Sequence, residues 1–414
     1  MMAAVASSGM TEGQVRGGTT TAGDLLALLR AGRATTRAEL VALTGLSRSA
    51  VNARLADLQG IGLVVQGDPG PSTGGRPPGR VDLAPAGGVV LVASVGVTRT
   101  QVAVCDLSAG VLAETVVVPD LADGPAPLME TLDGLLAELL AQVGRAPGDV
   151  LGIGLALPGP VESGTGRLVR PPSLPGWADF VAGPSLARRW PVPVVVDNDV
   201  NAMAVGEHRA LGGAVQDLLL VKVSAGIGAG LVLGGRLHRG TLGAAGDIGH
   251  VRVGGAEGVL CRCGNEGCVE AVASGSAVVR ALQARGADVT RTGDVVALVA
   301  AGDLEAAGLV RTAGRRLGEV LAVAVDLLNP AAVVLAGDLA LAREPLFAGV
   351  RDVVQPRVST LAGRDLQLLP SLLGEQAGLV GCAVLALDEV LSPAAVDHRL
   401  ARVKSGAQRP IMSG

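Results

Sequence analysis

The sequence predicts an α/β chain that begins with a winged helix-turn-helix, and three observations carry that prediction. Short apolar-periodic segments separated by tight turns come first; two short strands around a Gly/Pro-rich loop follow; beyond Pro85, strands and helices alternate to the end. At 414 residues the chain exceeds one ordinary core, so at least two domains are expected. Hydrophobic residues make up 49%, yet there are two Phe, two Trp and no Tyr, so Ala, Val and Leu must build the core, as suits buried parallel strands.

Residues 1–19 carry Gly, Ser, Thr and Ala without an apolar period and are expected to be a disordered tail. A DNA-binding domain over 20–85 comes next. Leu25 to Leu29 mark one helix; Ala38, Leu40, Val41 and Leu43 a second; Val51, Leu55 and Leu58 a third, with Gly32 and the Thr44-Gly45-Leu46-Ser47 turn between them. Ile61 to Val65 and Val81 to Leu83 read as strands around the wing loop Gly67 to Gly79. On the third helix the apolar residues face inward. Ser47, Arg48, Ser49 and Asn52 are left facing out, and Arg48 and Asn52 are i, i+4 neighbours of the types that read guanine and adenine edges in a major groove. Arg37 and Arg54 suit phosphate, and Arg76, on the wing, suits a minor groove. The alternative reading of the same helices is a partner-binding module. Charge favours DNA: residues 1–80 hold eight Arg against five acids, net +3, and the remainder is net −7. Lysine occurs only at 222 and 404 among 34 basic residues, which reads as a codon bias without mechanistic weight.

After Pro85, strands are expected at Val89 to Val95, Thr100 to Cys105, Val111 to Val118, Leu151 to Leu155 and Val192 to Val196, with a helix over Leu128 to Val143. The fifth strand runs into Asp197-Asn198-Asp199 at a helix start, where α/β ligand sites sit. At Asp217 the hairpin theme recurs: Leu218 to Val223, a glycine turn over Gly226 to Gly230, then Leu231 to Leu233, a weak internal repeat. Helical segments over 275–330, a strand at Val333 to Leu335 and a closing helix Gly374 to Val390 complete the pattern. No stretch reaches the roughly 18 apolar residues of a membrane span and no signal layout opens the chain, so a cytoplasmic protein is expected.

The sharpest motif lies between Gly246 and Glu270. His250, Cys261, Cys263 and Cys268 offer one imidazole and three thiolates, a full tetrahedral set for structural zinc with no open catalytic position. Free buried thiols are the alternative, as expected for Cys105 and Cys382. The stretch Gly243-Ala-Ala-Gly-Asp-Ile-Gly-His250, followed by Cys261-Arg-Cys-Gly-Asn-Glu-Gly-Cys268-Val-Glu270, resembles the signature of the ROK family (repressors, open reading frames and sugar kinases). Leu151 to Gly159 and Asp197-Asn198-Asp199-Val-Asn201 also match, and the N-terminal module places the chain with the transcriptional regulators of the family, like xylose and N-acetylglucosamine repressors.

The resemblance implies a two-lobed, actin-like (ribonuclease-H-like) sugar-kinase fold. Its first lobe would span 86–198, closed by the helix near 375–390, and its second 199–374, with 391–414 a loosely ordered tail. It also implies that Asn198, Asp199, Asp247, His250 and Glu270 hold sugar hydroxyls, with Asp199 the base in family kinases. Hydrogen-bonding side chains of these types do discriminate among sugars. Helix capping at a strand-to-helix turn is the other reading of Asn198-Asp199. Asp247 stands where the family pattern has Glu, one methylene longer. Family kinases carry a first phosphate loop Asp-x-Gly-Gly-Thr-Lys; here it reads Ser94-Val95-Gly96-Val97-Thr98-Arg99, and the second loop, Ser224-Ala225-Gly226, lacks the usual Gly-Thr. ATP is therefore not expected, nor is catalysis. The expectation is a sugar-responsive repressor of carbohydrate-metabolism genes, a homodimer or homotetramer on an inverted-repeat operator. An ATP-dependent sugar kinase carrying a DNA-binding domain is the alternative.

Overall fold

The computed structural model describes residues 20–67, 79–118, 121–169, 171, 174 and 176–406. The expected N-terminal tail, the wing loop with Arg76 and the last eight residues lie outside the described residues. The chain divides into two compact units, Met1–Gly88 with Asp388–Gly414, and Val89–Leu387.

In the first unit α1 (Ala22–Arg30), α2 (Arg37–Thr44) and α3 (Arg48–Gly60) each start at a hydroxyl cap. Thr21 accepts from Asp24 N while Asp24 accepts from Thr21 N, and Thr36 and Glu39 repeat the arrangement, which satisfies backbone donors that a helix start leaves open. Gly45 ends α2 at φ +69°, a left-handed turn that favours glycine. Leu25, Leu26, Leu40, Val51, Leu55 and Leu58 close the core between the helices. β1 (Val64–Gln66) and β2 (Val81–Leu83) pair antiparallel, Val64 opposite Leu83, and form the stem of the wing. Ile61 belongs to the end of α3 and not to the strand.

The second unit contains two sheets of one topology. In the first lobe β3 (Val89–Val95), β4 (Thr100–Asp106) and β5 (Val111–Val117) form an antiparallel meander. The helix α4 (Pro125–Gln142) follows, then β6 (Val150–Leu157), the small hairpin β7 (Val161–Glu162) and β8 (Arg167–Leu168), α5 (Gly183–Ala187) and β9 (Val194–Asn198). The order is β5-β4-β3-β6-β9, with β6 and β9 parallel to β3. The helix α6 (Asp199–Ala210) leads to the second lobe, where β10 (Leu218–Val223), β11 (Ile227–Leu233) and β12 (Arg236–Leu237) form another meander. The short helices α7 (Val269–Ala273), α8 (Gly275–Gln283) and α9 (Thr292–Ala300) precede the long α10 (Leu304–Leu328), then β13 (Ala332–Ala336), α11 (Glu344–Arg357), α12 (Thr360–Gly363) and β14 (Gln367–Pro370). The order β12-β11-β10-β13-β14 repeats the first sheet. The internal repeat noted in the sequence is thus a duplicated fold. The glycine run placed in a turn belongs to strand β11 instead, and the turn is confined to Ser224 to Gly226, because Val223 pairs directly with Ile227.

Each lobe buries its own aliphatic core: Leu91, Leu132, Leu136, Leu155 and Trp177 in the first, Val221, Leu317, Leu321, Val333 and Leu346 in the second. The helix α13 (Ala377–Val390) crosses the first sheet, and its Cys382 thiol donates to Ala93 O at 3.5 Å. Burial pushes that thiol well up and Cys105 up to about 12, so both are inert packing groups.

The C-terminal segment departs from the loose tail expected over 391–414. Residues Pro393–Lys404 form α14, capped by Ser392 with proline in its first turn, and it packs on α1. Val396 and Leu400, one turn apart, are buried; Gly23 N donates to Asp397 at 3.0 Å, and Lys404 pairs with Asp57 at 2.7 Å. A single apolar stripe too narrow to signal a helix in the sequence becomes one when the other end of the chain covers it. Among the described residues, no single helix is long and apolar enough to cross a membrane.

Candidate functional site

On α3, Arg48, Ser49 and Asn52 are exposed, while Val51, Leu55 and Leu58 are buried. Ser47 is the cap: its Oγ accepts from Ala50 N at 3.2 Å and lies 3.0 Å from Ser49 Oγ. Arg37, the first residue of α2, is half-buried. Arg54 differs from the phosphate contact expected of it. Its Nε donates to Thr20 O at 2.8 Å and its Nη1 to Ala50 O at 3.2 Å, so it anchors the entry to α1. An arginine on the helix flank finds a carbonyl at hand that the sequence does not reveal.

In the second unit the expected ligand residues gather around the β10–β11 turn. Strand β9 carries Asp197 into the interior, where it accepts from Asn201 Nδ2 at 2.8 Å and from Arg239 Nε at 2.7 Å. Asn198 is the N-cap of α6: its Oδ1 accepts from Val200 N at 2.9 Å and Asn201 N at 3.3 Å, and its Nδ2 donates to Gly159 O at 2.8 Å. The capping reading therefore holds for Asn198, with one amide hydrogen left over. Asp199, buried at the first position of α6, accepts from Lys222 Nζ at 2.5 Å through Oδ2. Glu270, on α7, accepts from Ile227 N at 2.9 Å through Oε2. Lys222 and Ile227 flank the same turn, so Asp199 and Glu270 approach it from two sides. Asp247 is half-exposed, with Oδ1 4.0 Å from His250 Nε2. Lys222 and Arg239 are the residues the sequence reading missed. Each is a cation matched to an acid 23 or 42 positions away, a separation without local signal.

His250, Cys261, Cys263 and Cys268 come together with all their ligand atoms within 4.8 Å of one another. Cys261 Sγ lies 3.7 Å from His250 Nδ1, and Cys263 Sγ lies 3.7 Å from Cys268 Sγ. Zinc bonds of about 2.3 Å to sulfur and about 2.0 Å to nitrogen, arranged tetrahedrally, put neighbouring ligand atoms about 3.5 to 3.8 Å apart, so the set fits that ion. The loop is shaped by its own backbone, with Cys261 N donating to Asn265 O at 2.8 Å and Gly264 N to Cys261 O at 3.0 Å. The Asn265 backbone N–H holds the Cys263 thiol below the usual range, whereas burial pushes Cys268 up to about 12 and raises Cys261. Metal binding requires all three as thiolates, so it displaces the protons they carry. The imidazole presents Nδ1 to the thiols and Nε2 toward Asp247, so one ring links the metal cluster to the ligand side.

Both phosphate-loop positions are hairpin turns. In the first, Gly96 N donates to Arg99 O at 2.9 Å, the Val97 side chain stands in solvent, and Arg99 is ion-paired with Glu375. In the second, Ser224 N donates to Gly226 O at 2.9 Å, and Ser224 Oγ accepts from Asp338 N at 3.0 Å.

The ROK family profile matches residues 91–389, and the chain belongs to the ROK family. It is 28% identical to the xylose repressor of Bacillus subtilis (strain 168) over 324 residues, 78% of this chain and 83% of that one. Among solved structures, a ROK family transcriptional regulator, homologous to the Escherichia coli Mlc protein, superposes with a TM-score of 0.78 at 24% identity, covering 92% of this chain and 98% of that one. A ROK family glucokinase from Streptomyces griseus in complex with glucose and AMPPNP superposes with a TM-score of 0.62 at 27% identity, covering 72% and 99%. The likeness to the regulator takes in the N-terminal unit as well as the two lobes, so the fold is a winged helix-turn-helix followed by a two-lobed, actin-like domain.

Proposed function

We propose that this chain is a sugar-responsive, DNA-binding transcriptional regulator, a repressor of carbohydrate-metabolism genes, and that it does not phosphorylate its ligand. One observation carries the reading. A helix presenting Arg48 and Asn52 to solvent is joined to a set of hydroxyl-binding acids whose neighbouring hairpin turns lack the residues of kinase phosphate loops, with Ser94 and Val97 in the first and Ser224 and Ala225 in the second. The likeness to the xylose repressor and to the Mlc-like regulator supports the regulator; the glucokinase supports a common sugar site.

In this reading Asp199, Asp247, His250 and Glu270 receive sugar hydroxyls, with the spare amide hydrogen of Asn198 beside them. Asp199 Oδ2 accepts from the Lys222 ammonium, so the carboxylate meets a ligand hydroxyl through its other oxygen. His250, Cys261, Cys263 and Cys268 would hold a zinc ion, which would supply rigidity and no chemistry and would keep His250 and the start of α7, and hence Glu270, in register. Two copies of the chain on an inverted repeat place two α3 helices in successive major grooves, with Arg48 and Asn52 on base edges and Ser49 and Arg37 on phosphates. Sugar alters DNA affinity only insofar as it binds the DNA-competent and DNA-incompetent states unequally.

Sequencing the DNA retained by the purified protein, with and without a panel of sugars, tests the reading. An inverted-repeat operator whose retention changes with one sugar is expected; retention indifferent to every sugar overturns the switch. Arg48→Ala lowers specific binding by about 1 to 3 kcal/mol with little effect on non-specific binding. A coupled ADP-release assay with hexoses is expected to stay at background; release abolished by Asp199→Asn would establish a kinase instead.

A further inference from the structure

Nearly every cation in the chain is arginine, yet the only lysine of the second unit sits beside the ligand acids. Lys222 lies on β10, opposite Gly228 of β11, and its Nζ is 2.5 Å from Asp199 Oδ2. Both side chains are largely withdrawn from solvent, 24% and 10% exposed. An ammonium has three N–H donors. Among the described residues Lys222 has one hydrogen-bond acceptor, Asp199, and Asp199 Oδ1 has no donor. The pair therefore offers unused donors and an unused acceptor side by side, partly buried, where an unmet polar group is costly.

We propose that Lys222 is an effector-binding, specificity-determining residue: together with Asp199 it takes a vicinal diol, one hydroxyl donating to Asp199 Oδ1 and the neighbouring oxygen accepting from Lys222 Nζ. The proposal rests on the sugar reading above and adds to it a residue and a ligand class. That class is a neutral polyol. The ion pair carries no net charge and Asp197 is likewise paired with Arg239, so a phosphate or carboxylate on the ligand would find no uncompensated cation there. Lysine suits this place better than arginine because a compact ammonium on a flexible stem can serve the carboxylate and a ligand oxygen at once.

The test is a set of binding cycles by calorimetry on the full-length protein, using D-xylose, D-glucose and the monodeoxy analogues of each, with wild type and Lys222→Met. In wild type, removal of the hydroxyl that Lys222 holds costs about ten-fold in affinity. In Lys222→Met the parent sugar weakens by about the same factor and that one deoxy penalty vanishes, while the penalties at the other positions persist. A merely structural lysine would lower all affinities alike and leave every deoxy penalty in place, and that result overturns the proposal while sparing the sugar reading. Should Lys222→Met fail to fold, Lys222→Gln keeps an N–H donor without the charge and is expected to retain a reduced penalty at the same hydroxyl; an unchanged penalty there also overturns it. The parent sugar is whichever of the panel in the DNA-retention experiment binds, and failure of the wild type to bind any sugar of that panel defeats the sugar reading and the proposal together. Tighter binding of glucose 6-phosphate than of glucose, lost in the lysine variant, overturns the neutral-polyol class.

Discussion

The hairpins β3–β4 and β10–β11 hold the same place in two sheets of the same order, and their turns have diverged. The first turn, Gly96 to Arg99, faces solvent: Val97 is 49% exposed, and the ion pair of Arg99 with Glu375 lies across it. The second, Ser224 to Gly226, is knitted into the protein through Asp338 N, Glu270 Oε2 and the backbone of the zinc segment, where Ala229 N donates to Gly246 O at 2.9 Å. A duplicated fold sets two equivalent positions, and side-chain chemistry decides which one becomes a site. In the proposed reading the second turn is the floor of the hydroxyl-binding cluster, whereas the first is a surface turn.

Four substitutions sharpen or break this contrast. The largest effect is expected from Cys268→Ser, which removes one of four metal ligands behind the second hairpin. Bound zinc, by metal analysis, is expected to fall from one per chain to near none, and the unfolding midpoint to drop further than for any change below. Retention of a full equivalent would dissociate the cluster from zinc. Gly230→Ala comes next. A Cβ there would lie 2.7 Å from both Ala204 Cβ and Val200 O on α6, and overpacking of this kind costs about 1 to 3 kcal/mol in a denaturant titration. Ser224→Ala strands the Asp338 N–H and is expected to cost about 1 to 2 kcal/mol. The smallest effects belong to the first hairpin. Arg99→Ala breaks a partly exposed ion pair, worth about 0 to 1 kcal/mol, and is expected to leave ATP binding undetectable by calorimetry. A loss of 3 kcal/mol there, or the appearance of ATP binding, would mean that the first turn is more than a surface feature.

How much could be read beforehand followed the distance along the chain over which each feature is encoded. The three-helix periodicity, the Thr44 to Ser47 turn and the second strand of the wing stem are local patterns, and they stand in the structure where the sequence placed them. The metal cluster spans His250 to Cys268, and its spacing alone predicted the four donors that converge. The strand carrying Asp197 was placed two residues early, because its last residues are polar and alternation cannot mark where a buried strand ends at a ligand site.

The misreadings concern partners far apart. By position alone Arg54 suits phosphate, and residues 391–414 read as a tail because Val396 and Leu400 acquire meaning only against α1, which starts at residue 22. Lys222 reads as codon bias in the sequence, whereas in the structure its ammonium meets Asp199. By itself, the sequence determined most of the elements, the duplicated hairpin and the four donors of the metal-ligand cluster. These are short-range patterns in which backbone geometry ties residue spacing to a common face or turn. Only the tertiary structure decided which charges neutralise one another and which polar atoms remain for a ligand. Such pairing depends on through-space distances of a few ångströms between residues whose separation in the chain carries no period.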